Sequence, residues 1–226
     1  MVLVAGRAAA AGEGHGVVVP ALTGLGERAH LATPEVDVST HVQELVDLLE
    51  TSDASDVVLV GHSYSGVVVT AVAAALPRRV SDVVYLDAFV PEEGRSIFDL
   101  LPPERVAVFE DATREHGDGW TVPLPWERAL AGWGVTDPDD VAWMTPLMTP
   151  QPLATFHERA GAWATNPGVR RTFVHCLDKP AGDSFAGFAA RAASDPDWRF
   201  LTLDAGHDAM VVAPAATAAA LLSVVA

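Results

Sequence analysis

One serine in this chain stands where a nucleophile is expected. The stretch GHSYSG at residues 61–66 follows an apolar run that ends at Val60 and precedes an Ala- and Val-rich stretch that ends at Leu76. This order predicts a strand, a tight turn and a helix, with Ser63 at the tip of the turn. The small residues around it allow a sharp turn, although Ser65 replaces the second glycine of the usual Gly-x-Ser-x-Gly pattern. Because such a turn exposes its hydroxyl, we expect Ser63 to act as a nucleophile.

A serine of this kind needs a histidine as its base, and the histidine needs an acid that orients its ring. In chains with such a turn, the acid and then the histidine follow the serine, and the histidine comes after the last strand. Residues 199–203 read as that strand, and His207 follows them. Since no histidine other than His207 lies beyond His175, the sequence assigns the base to His207.

The acid has three candidates. Asp178 directly follows a strand predicted over residues 172–176, Asp183 lies in the same loop, and Asp87 ends an earlier predicted strand. We prefer Asp178 because of its place at the end of the strand before the last one. Any of the three could instead be a solvated loop carboxylate or a helix N-cap.

The alternation of strands and helices predicts an α/β fold, a mostly parallel sheet with helices on both faces. Further strands are expected at residues 17–20 and 83–86, a helix with a capping box at residues 40–43, and a closing helix from Pro214 to the end. Ligands of such sheets bind beyond the carboxyl ends of the strands, where Ser63, Asp178 and His207 all fall.

Four segments together resemble the bacterial esterase branch of the α/β-hydrolase superfamily, which is similar to plant methylesterases and hydroxynitrile lyases. They are ALTGLGER at residues 21–28, GHSYSG at 61–66, YLDAFVP at 85–91 and GHDAM at 206–210. The resemblance covers nearly the whole chain from Gly14 onward and implies a single α/β-hydrolase domain over residues 1–226. It supports Asp178, because the acid of plant methylesterases opens a segment similar to residues 178–185.

The resemblance also implies an oxyanion hole of two backbone N–H groups, one of them that of Tyr64. In the relatives the second N–H group of the oxyanion hole comes from a loop between a first strand and a helix. Residues 1–6 could be that strand, with Gly6 or Arg7 as the donor, but residues 7–13 are too few for the loop and the helix. Either the helix is deleted or the sheet begins later. The expected fold is therefore shortened at its N-terminus, which favours a homodimer contact or low stability.

Between about residues 91 and 168 the alternation breaks, and this stretch predicts an inserted helical cap with an apolar pocket. It is rich in proline, and a helix is expected to begin at Asp137. Trp126, Trp143 and Met148 are the candidates for contact with a substrate, although each could instead belong to the core of the cap.

Composition argues against several classes of protein. A formal net charge of −16 is unfavourable for binding nucleic acid or anionic membranes. The single cysteine, Cys176, forms no internal disulfide and no cysteine-based zinc site. No apolar run is long enough to span a membrane, and the N-terminus lacks a clear signal peptide, so we expect a cytoplasmic protein. The expected chemistry requires neither a metal nor an organic cofactor.

The sequence favours a carboxylesterase-type serine hydrolase that cleaves a small, largely apolar ester or thioester through an acyl-enzyme. A hydroxynitrile lyase is disfavoured because Asp208 stands where those lyases have a lysine. A non-hydrolytic biosynthetic enzyme, such as a cyclase or decarboxylase, and a ligand-binding protein with slow turnover both fit the altered N-terminus. Dehalogenases and epoxide hydrolases are disfavoured because they need a carboxylate in the place of Ser63.

Overall fold

The computed structural model describes residues 2–6, 16–52, 54–164, 168–179 and 182–225. Its strands are β1 (Val2–Gly6), β2 (Gly16–Val18), β3 (Val57–Ser63), β4 (Val80–Ala88), β5 (Thr121–Val122), β6 (Gln151–Pro152), β7 (Arg170–Cys176) and β8 (Trp198–Leu203). Six of them form one sheet in the order β2-β1-β3-β4-β7-β8, while β5 and β6 form a separate antiparallel pair. The predicted α/β class is confirmed.

The helices are α1 (Val38–Thr51), α2 (Ser65–Ala75), α3 (Ile97–Leu100), α4 (Pro103–His116), α5 (Trp126–Gly132), α6 (Pro138–Met144), α7 (Ala154–His157), α8 (Ala186–Ser194), α9 (Ala209–Val212) and α10 (Pro214–Val225). Short 3-10 helices lie at Gly26–Leu31, Thr145–Leu147 and Ala162–Ala164. Within the described ranges, no helix combines the length and apolar character needed to cross a membrane.

The N-terminal caps of two helices are predicted from the sequence, and the structure shows where both helices begin. Asp137 caps α6 as predicted, since its carboxylate accepts the N–H of Asp139 at 2.8 Å. The predicted capping box at residues 40–43 is wrong by one turn. Asp37 is the N-cap of α1, and its carboxylate accepts the N–H of Thr40 at 2.8 Å while the Thr40 hydroxyl accepts the N–H of Asp37. The carboxylate of Asp37 thus binds an N–H of the first helical turn, which otherwise lacks a partner.

The core lies on both faces of the parallel strands β3, β4, β7 and β8. Successive residues of a strand point to opposite faces. Accordingly, Val57 and Leu59 pack with α1, α2 and α8, whereas Val58 and Val60 pack with the α9–α10 side. Burial on both faces explains why these strands read as continuous apolar runs rather than as alternating ones.

The N-terminal edge of the sheet is built differently. β1 runs antiparallel to both of its neighbours, with Val2 opposite Gly61 and Ala5 opposite Val58. A parallel arrangement of β1 and β2 would need a crossover of a dozen or more residues, and only residues 7–15 separate them. This edge therefore differs in strand direction from the rest of the sheet.

Candidate active site

Ser63 lies in a strained turn between β3 and α2. Its backbone φ is 54°, in the left-handed region that residues other than glycine rarely adopt. A Cβ at Gly61 would lie 2.6 Å from the Ser65 carbonyl oxygen, and one at Gly66 would lie 2.2 Å from that of Phe89. The glycine displaced to position 66 thus still allows close packing, now against the chain that leaves β4. The turn has the form that the sequence predicts.

Tyr64 directly precedes α2, so its N–H belongs to the group that a helix start leaves without an intrahelical partner. Its hydroxyl donates to Nδ1 of His41 at 2.8 Å, and Nε2–H of His41 donates to the Thr23 carbonyl at 2.8 Å. Burial lowers the pKa of His41, which keeps the ring neutral and its Nδ1 available as an acceptor. These bonds hold the residue that follows Ser63.

The carboxylate that contacts His207 is that of Asp87. Nδ1–H of His207 donates to Oδ2 of Asp87 at 2.7 Å, and both side chains are buried. Asp178 does not occupy this place, so the preferred choice of acid is corrected. Its side chain is exposed, and its backbone N–H donates to the Ala205 carbonyl at 3.0 Å.

A bulge explains why Asp87 reaches this position. In the pairing of β3 with β4, His62 is opposite Leu86 but Ser63 is opposite Ala88. Asp87 is the additional residue, with a φ of 44°, and bulges redirect side chains in this way. The sequence carries a signal for this acid, since Asp87 directly follows the hydrophobic run VVYL at residues 83–86 of β4.

The second oxygen of Asp87 also has partners. Its Oδ1 accepts from the Cys176 N–H at 3.2 Å and from Nζ of Lys179 at 2.8 Å. The Lys179 side chain is only 4% exposed, and its ammonium also contacts Oδ1 of Asp183 at 2.6 Å. The two oxygens of Asp87 therefore face two different cations when His207 is protonated.

Asp183, the third candidate acid, binds the ammonium of Lys179 rather than the ring of His207. Its Oδ2 lies 2.6 Å from Nε2 of His175. Burial raises the pKa of Asp183, but hydrogen bonds from Lys179, from His175 and from the Phe185 N–H outweigh this and leave it below its ordinary value. Asp183 is thus held as a carboxylate that accompanies Lys179.

Asp87, His175 and Asp183 each offer a ligand atom, and these atoms lie within 4.8 Å of one another, a spacing that suits a metal ion. In this structure the ammonium of Lys179 binds both carboxylates. The cation that these two groups contact is therefore a side chain of the protein itself.

Three further residues that the sequence analysis did not select enclose the His207 ring. Phe185 stacks on it at 4.9 Å between centroids with a 10° interplanar angle, and Trp133 meets it edge-on at 5.8 Å. His62 lies at 4.4 Å, and its Nε2–H donates to the His207 carbonyl at 3.0 Å. Burial, together with the neighbouring His207, lowers the pKa of His62 well below its usual range. No second positive ring therefore competes with a protonated His207.

Ser63 and His207 line the same cavity, which has a volume of about 560 Å³. Most of its remaining wall comes from the segment between β4 and β7. Of the three candidates for substrate contact, Trp126 and Met148 line the cavity, whereas Trp143 is 59% exposed and lies outside the lining. Trp143 belongs to α6, whose inward residue is Met144, and it is therefore withdrawn as a substrate contact.

Gly6 does not lie near Ser63, which corrects the second predicted oxyanion donor. Because β1 is antiparallel to β3 and Ala5 pairs with Val58, Gly6 lies at the amino end of β3, roughly 16 Å or more from Ser63 along the strand. Arg7, the other candidate, lies outside the described residues. Of the predicted donors within the described ranges, only the N–H of Tyr64 adjoins Ser63.

Comparison with known proteins identifies a family that the chain matches. A model of the alpha/beta hydrolase family matches residues 1–220. The chain is 34% identical over 209 residues to a carbendazim hydrolyzing esterase from Nocardioides sp. strain SG-4G, covering 89% of this chain and 84% of that one. It is 26% identical over 231 residues to lipase LipV from Mycobacterium tuberculosis, covering 92% and 82%.

Solved structures show the same fold. An extracellular alpha/beta-hydrolase from a Paenibacillus species superposes with a TM-score of 0.78 at 21% identity, over 90% of this chain and 85% of that one. A methylesterase from Arabidopsis superposes with a TM-score of 0.67 at 21% identity, over 90% and 84%.

Proposed function

Because the chain belongs to the alpha/beta hydrolase family, we propose that it is a carboxylesterase-type serine hydrolase with Ser63, His207 and Asp87 as its catalytic triad. One observation carries the proposal. Ser63, in its strained turn, and His207, hydrogen-bonded to the buried Asp87, line one cavity. The names of two relatives, an esterase and a lipase, support ester hydrolysis.

The contacts of His207 determine which nitrogen reacts. Nδ1–H is held by Asp87, so Nε2 is the nitrogen left to take the proton of Ser63. As the hydroxyl oxygen attacks the ester carbonyl, that proton moves to Nε2, and the Asp87 carboxylate stabilises the imidazolium. The Tyr64 N–H, at the positive end of α2, donates to the developing oxyanion.

Collapse of this tetrahedral intermediate breaks the bond to the alcohol, which leaves with the proton from Nε2 of His207. Water then attacks the acyl group on Ser63 and gives its proton to the same nitrogen. The carboxylic acid departs as the Ser63 hydroxyl is restored, so one ester and one water give one acid and one alcohol. His62, Trp133 and Phe185 keep the imidazole ring in one orientation throughout.

The cavity wall supports a small, largely apolar substrate. Phenylalanine, valine, leucine and tryptophan side chains form much of it, and apolar walls favour apolar acyl or alcohol groups. We further propose that residues 91–168 act as a cap, since α4 and α5 within this segment supply cavity residues. Trp126 and Met148 are proposed to contact the substrate there.

The proposal is tested with short-chain p-nitrophenyl esters and a fluorophosphonate probe. Ser63→Ala is expected to abolish labelling, and both Ser63→Ala and His207→Ala should lower kcat by at least about 10³-fold. Ser184→Ala and His175→Ala serve as matched controls and should still label, because neither residue belongs to the proposed triad.

Two results would contradict the hydrolase. One is a wild-type protein that neither labels nor turns over, and the other is labelling that persists in Ser63→Ala. Labelling at Ser63 with negligible ester turnover would instead favour the ligand-binding alternative with slow turnover. That alternative is supported by the position of Gly6, because, of the predicted donors within the described ranges, only the Tyr64 N–H adjoins Ser63, and loss of one donor costs about 10²- to 10³-fold in rate.

A further inference from the structure

The cavity wall has a charge opposite to that of the molecule as a whole. The chain carries 30 acidic and 14 basic side chains. Among the described residues that line the cavity, however, the ionisable groups of basic type are Arg105, Arg128, Lys179 and His207, and none of the lining residues is Asp or Glu. A predominantly acidic protein has therefore placed cations, without carboxylates, on the walls of this cavity.

Arg105 on α4 and Arg128 on α5 are the cations that remain available to a ligand. Lys179 already binds Asp87 and Asp183. Within the described part of the chain, neither arginine has an ion pair or a hydrogen bond through its side chain. Most other described arginines do have an acidic partner: Arg28, Arg95, Arg114, Arg159, Arg170 and Arg191.

We propose that Arg105 and Arg128 bind a carboxylate of the substrate, so that the preferred substrates are esters bearing a carboxylate remote from the scissile bond. This inference rests on the proposed esterase function. A guanidinium forms paired hydrogen bonds with a carboxylate, and the half-buried position of Arg105 strengthens the attraction more than the exposed position of Arg128 does. Such local cations would also offset the repulsion of an anion by the net charge of −16.

The apolar part of such a substrate has a place in the same cavity. Val108 and Phe109 on α4 and Trp126 on α5 line it together with the two arginines. A substrate with an apolar body, an ester at Ser63 and a carboxylate at the arginines would match all three parts of the wall. A purely apolar ester would leave both guanidinium groups unused.

The test uses two pairs of esters that differ in charge but hardly in shape. The p-nitrophenyl monoester of glutaric acid is compared with that of glutaramic acid, which places the charge on the acyl side. On the alcohol side, 4-carboxyphenyl acetate is compared with 4-carbamoylphenyl acetate. For at least one pair, kcat/KM of the wild type is expected to favour the carboxylate by about tenfold, falling as salt is added.

Arg105→Gln and Arg128→Gln should each lower that carboxylate-to-amide ratio about fivefold, and the double variant should abolish the preference. Arg114→Gln is the matched control, since Arg114 lies on the same helix α4 but pairs with Asp111, and its ratio should equal that of the wild type. A wild-type ratio near one for both pairs, or a ratio unchanged in the double variant, would overturn the proposal.

Failure of the esterase itself would be seen separately, as absence of turnover and of fluorophosphonate labelling. In that event calorimetry on Ser63→Ala decides the matter. Tighter binding of 4-carboxyphenyl acetate than of its amide, lost in the double arginine variant, would uphold carboxylate recognition without hydrolysis. Equal binding of the two compounds would refute it.

Discussion

The two edges of the active site are built in different ways. On one side, the ends of β4 and β7 and the loop after β8 hold Asp87, Lys179 and His207, each buried and each hydrogen-bonded. On the other side, β1 and β2 form a short antiparallel edge. The exposed fractions of Val17 and Val18 there are 58% and 48%. The groups proposed to take part in proton transfer are thus buried, whereas the edge expected to complete the oxyanion hole carries exposed valines.

The difference follows from the cost of burying charge. A charge in a protein interior is costly unless it is paired and hydrogen-bonded, so Asp87 requires Lys179, the Cys176 N–H and His207 around it. A backbone N–H donor needs no such partners, and its position depends only on the direction of the strand that carries it. An oxyanion donor can therefore be displaced without any change to the buried contact between Asp87 and His207.

The largest effect is expected from replacing Asp87, the proposed acid. Asp87→Asn is expected to lower kcat by about 10³- to 10⁴-fold, because the amide cannot stabilise the imidazolium and disfavours the required tautomer of His207. Asp178→Asn should change kcat less than about twofold, as expected for an exposed side chain outside such networks. Steady-state kinetics on both variants, with circular dichroism to check folding, decides between the two aspartates.

The opposite ranking, with Asp178→Asn inactive and Asp87→Asn active, would contradict the proposed triad. Equal and small effects would mean that the buried half of the site is not the catalytic one.

Lys179 provides the next largest effect. Lys179→Met removes the cation from Oδ1 of Asp87 while keeping the volume of the side chain, and kcat/KM at pH 7 should fall about tenfold. Because Lys179 binds Asp87 and Asp183, the fall should be in kcat, with KM changed little.

A fall in kcat with KM unchanged distinguishes a positioning residue from one that only shapes the cavity. Asp183→Asn is the comparison variant, because it removes the other partner of Lys179 and leaves the contact with Asp87. A Lys179→Met variant that keeps kcat and changes only KM would contradict the proposed role.

Asp208 differs from the paired groups Asp87, Lys179 and His207 on the buried side of the site. Its effect is expected on stability rather than on catalysis. Its side chain is buried, and Oδ2 has no hydrogen-bond partner among the described residues. Burial raises the pKa of Asp208 above its ordinary value. The folded state therefore keeps this proton to a higher pH than the unfolded state does, and stability is lost as pH rises through the raised pKa.

Asp208→Asn, which cannot ionise, should accordingly raise Tm at pH 7 by about 2–4 °C, the shift that about 1 kcal/mol produces in a chain of this size. The advantage should disappear below about pH 4, where the aspartate is protonated in both states. Thermal unfolding followed between pH 4 and pH 8 measures it. A gain in Tm that does not depend on pH would contradict the assignment to this carboxyl group.

The smallest effect on catalysis is expected at the N-terminal edge. Val18→Lys should change kcat/KM less than about twofold, while the charge discourages pairing of this strand with another chain. If the predicted homodimer forms through β2, sedimentation should show a smaller species in Val18→Lys. Leu48→Lys, which adds the same charge on α1, is the control. A dimer unaffected by Val18→Lys would place the contact elsewhere.

Much of the site could be predicted from the sequence because its signals are local. The turn at Ser63 needs only a buried strand, small residues and a helix, all adjacent in the chain. His207 followed from chain order and from its place after a predicted strand. Gly66 is an exception, because its lack of a side chain is required by the backbone of Phe89, which follows β4 and is distant in the chain.

The acid and the second donor could not be found in this way. Asp87 lies near the end of β4 and Asp178 lies just beyond β7. The choice between them depends on a bulge in the pairing of β3 with β4. The distance of Gly6 from Ser63 depends on the direction in which β1 runs in the sheet. Both are properties of strand pairing, which involves residues far apart in the chain.

The sequence by itself therefore determined the α/β class and led to Ser63 and His207 as the proposed nucleophile and base, because local backbone geometry and hydrophobic pattern encode them. Only the tertiary structure decided that Asp87 holds His207, that Lys179 neutralises Asp87, and that Gly6 lies at the far end of the sheet. The physical reason is that register, bulges and strand direction are set by packing over the whole sheet. No single segment of the chain carries that information.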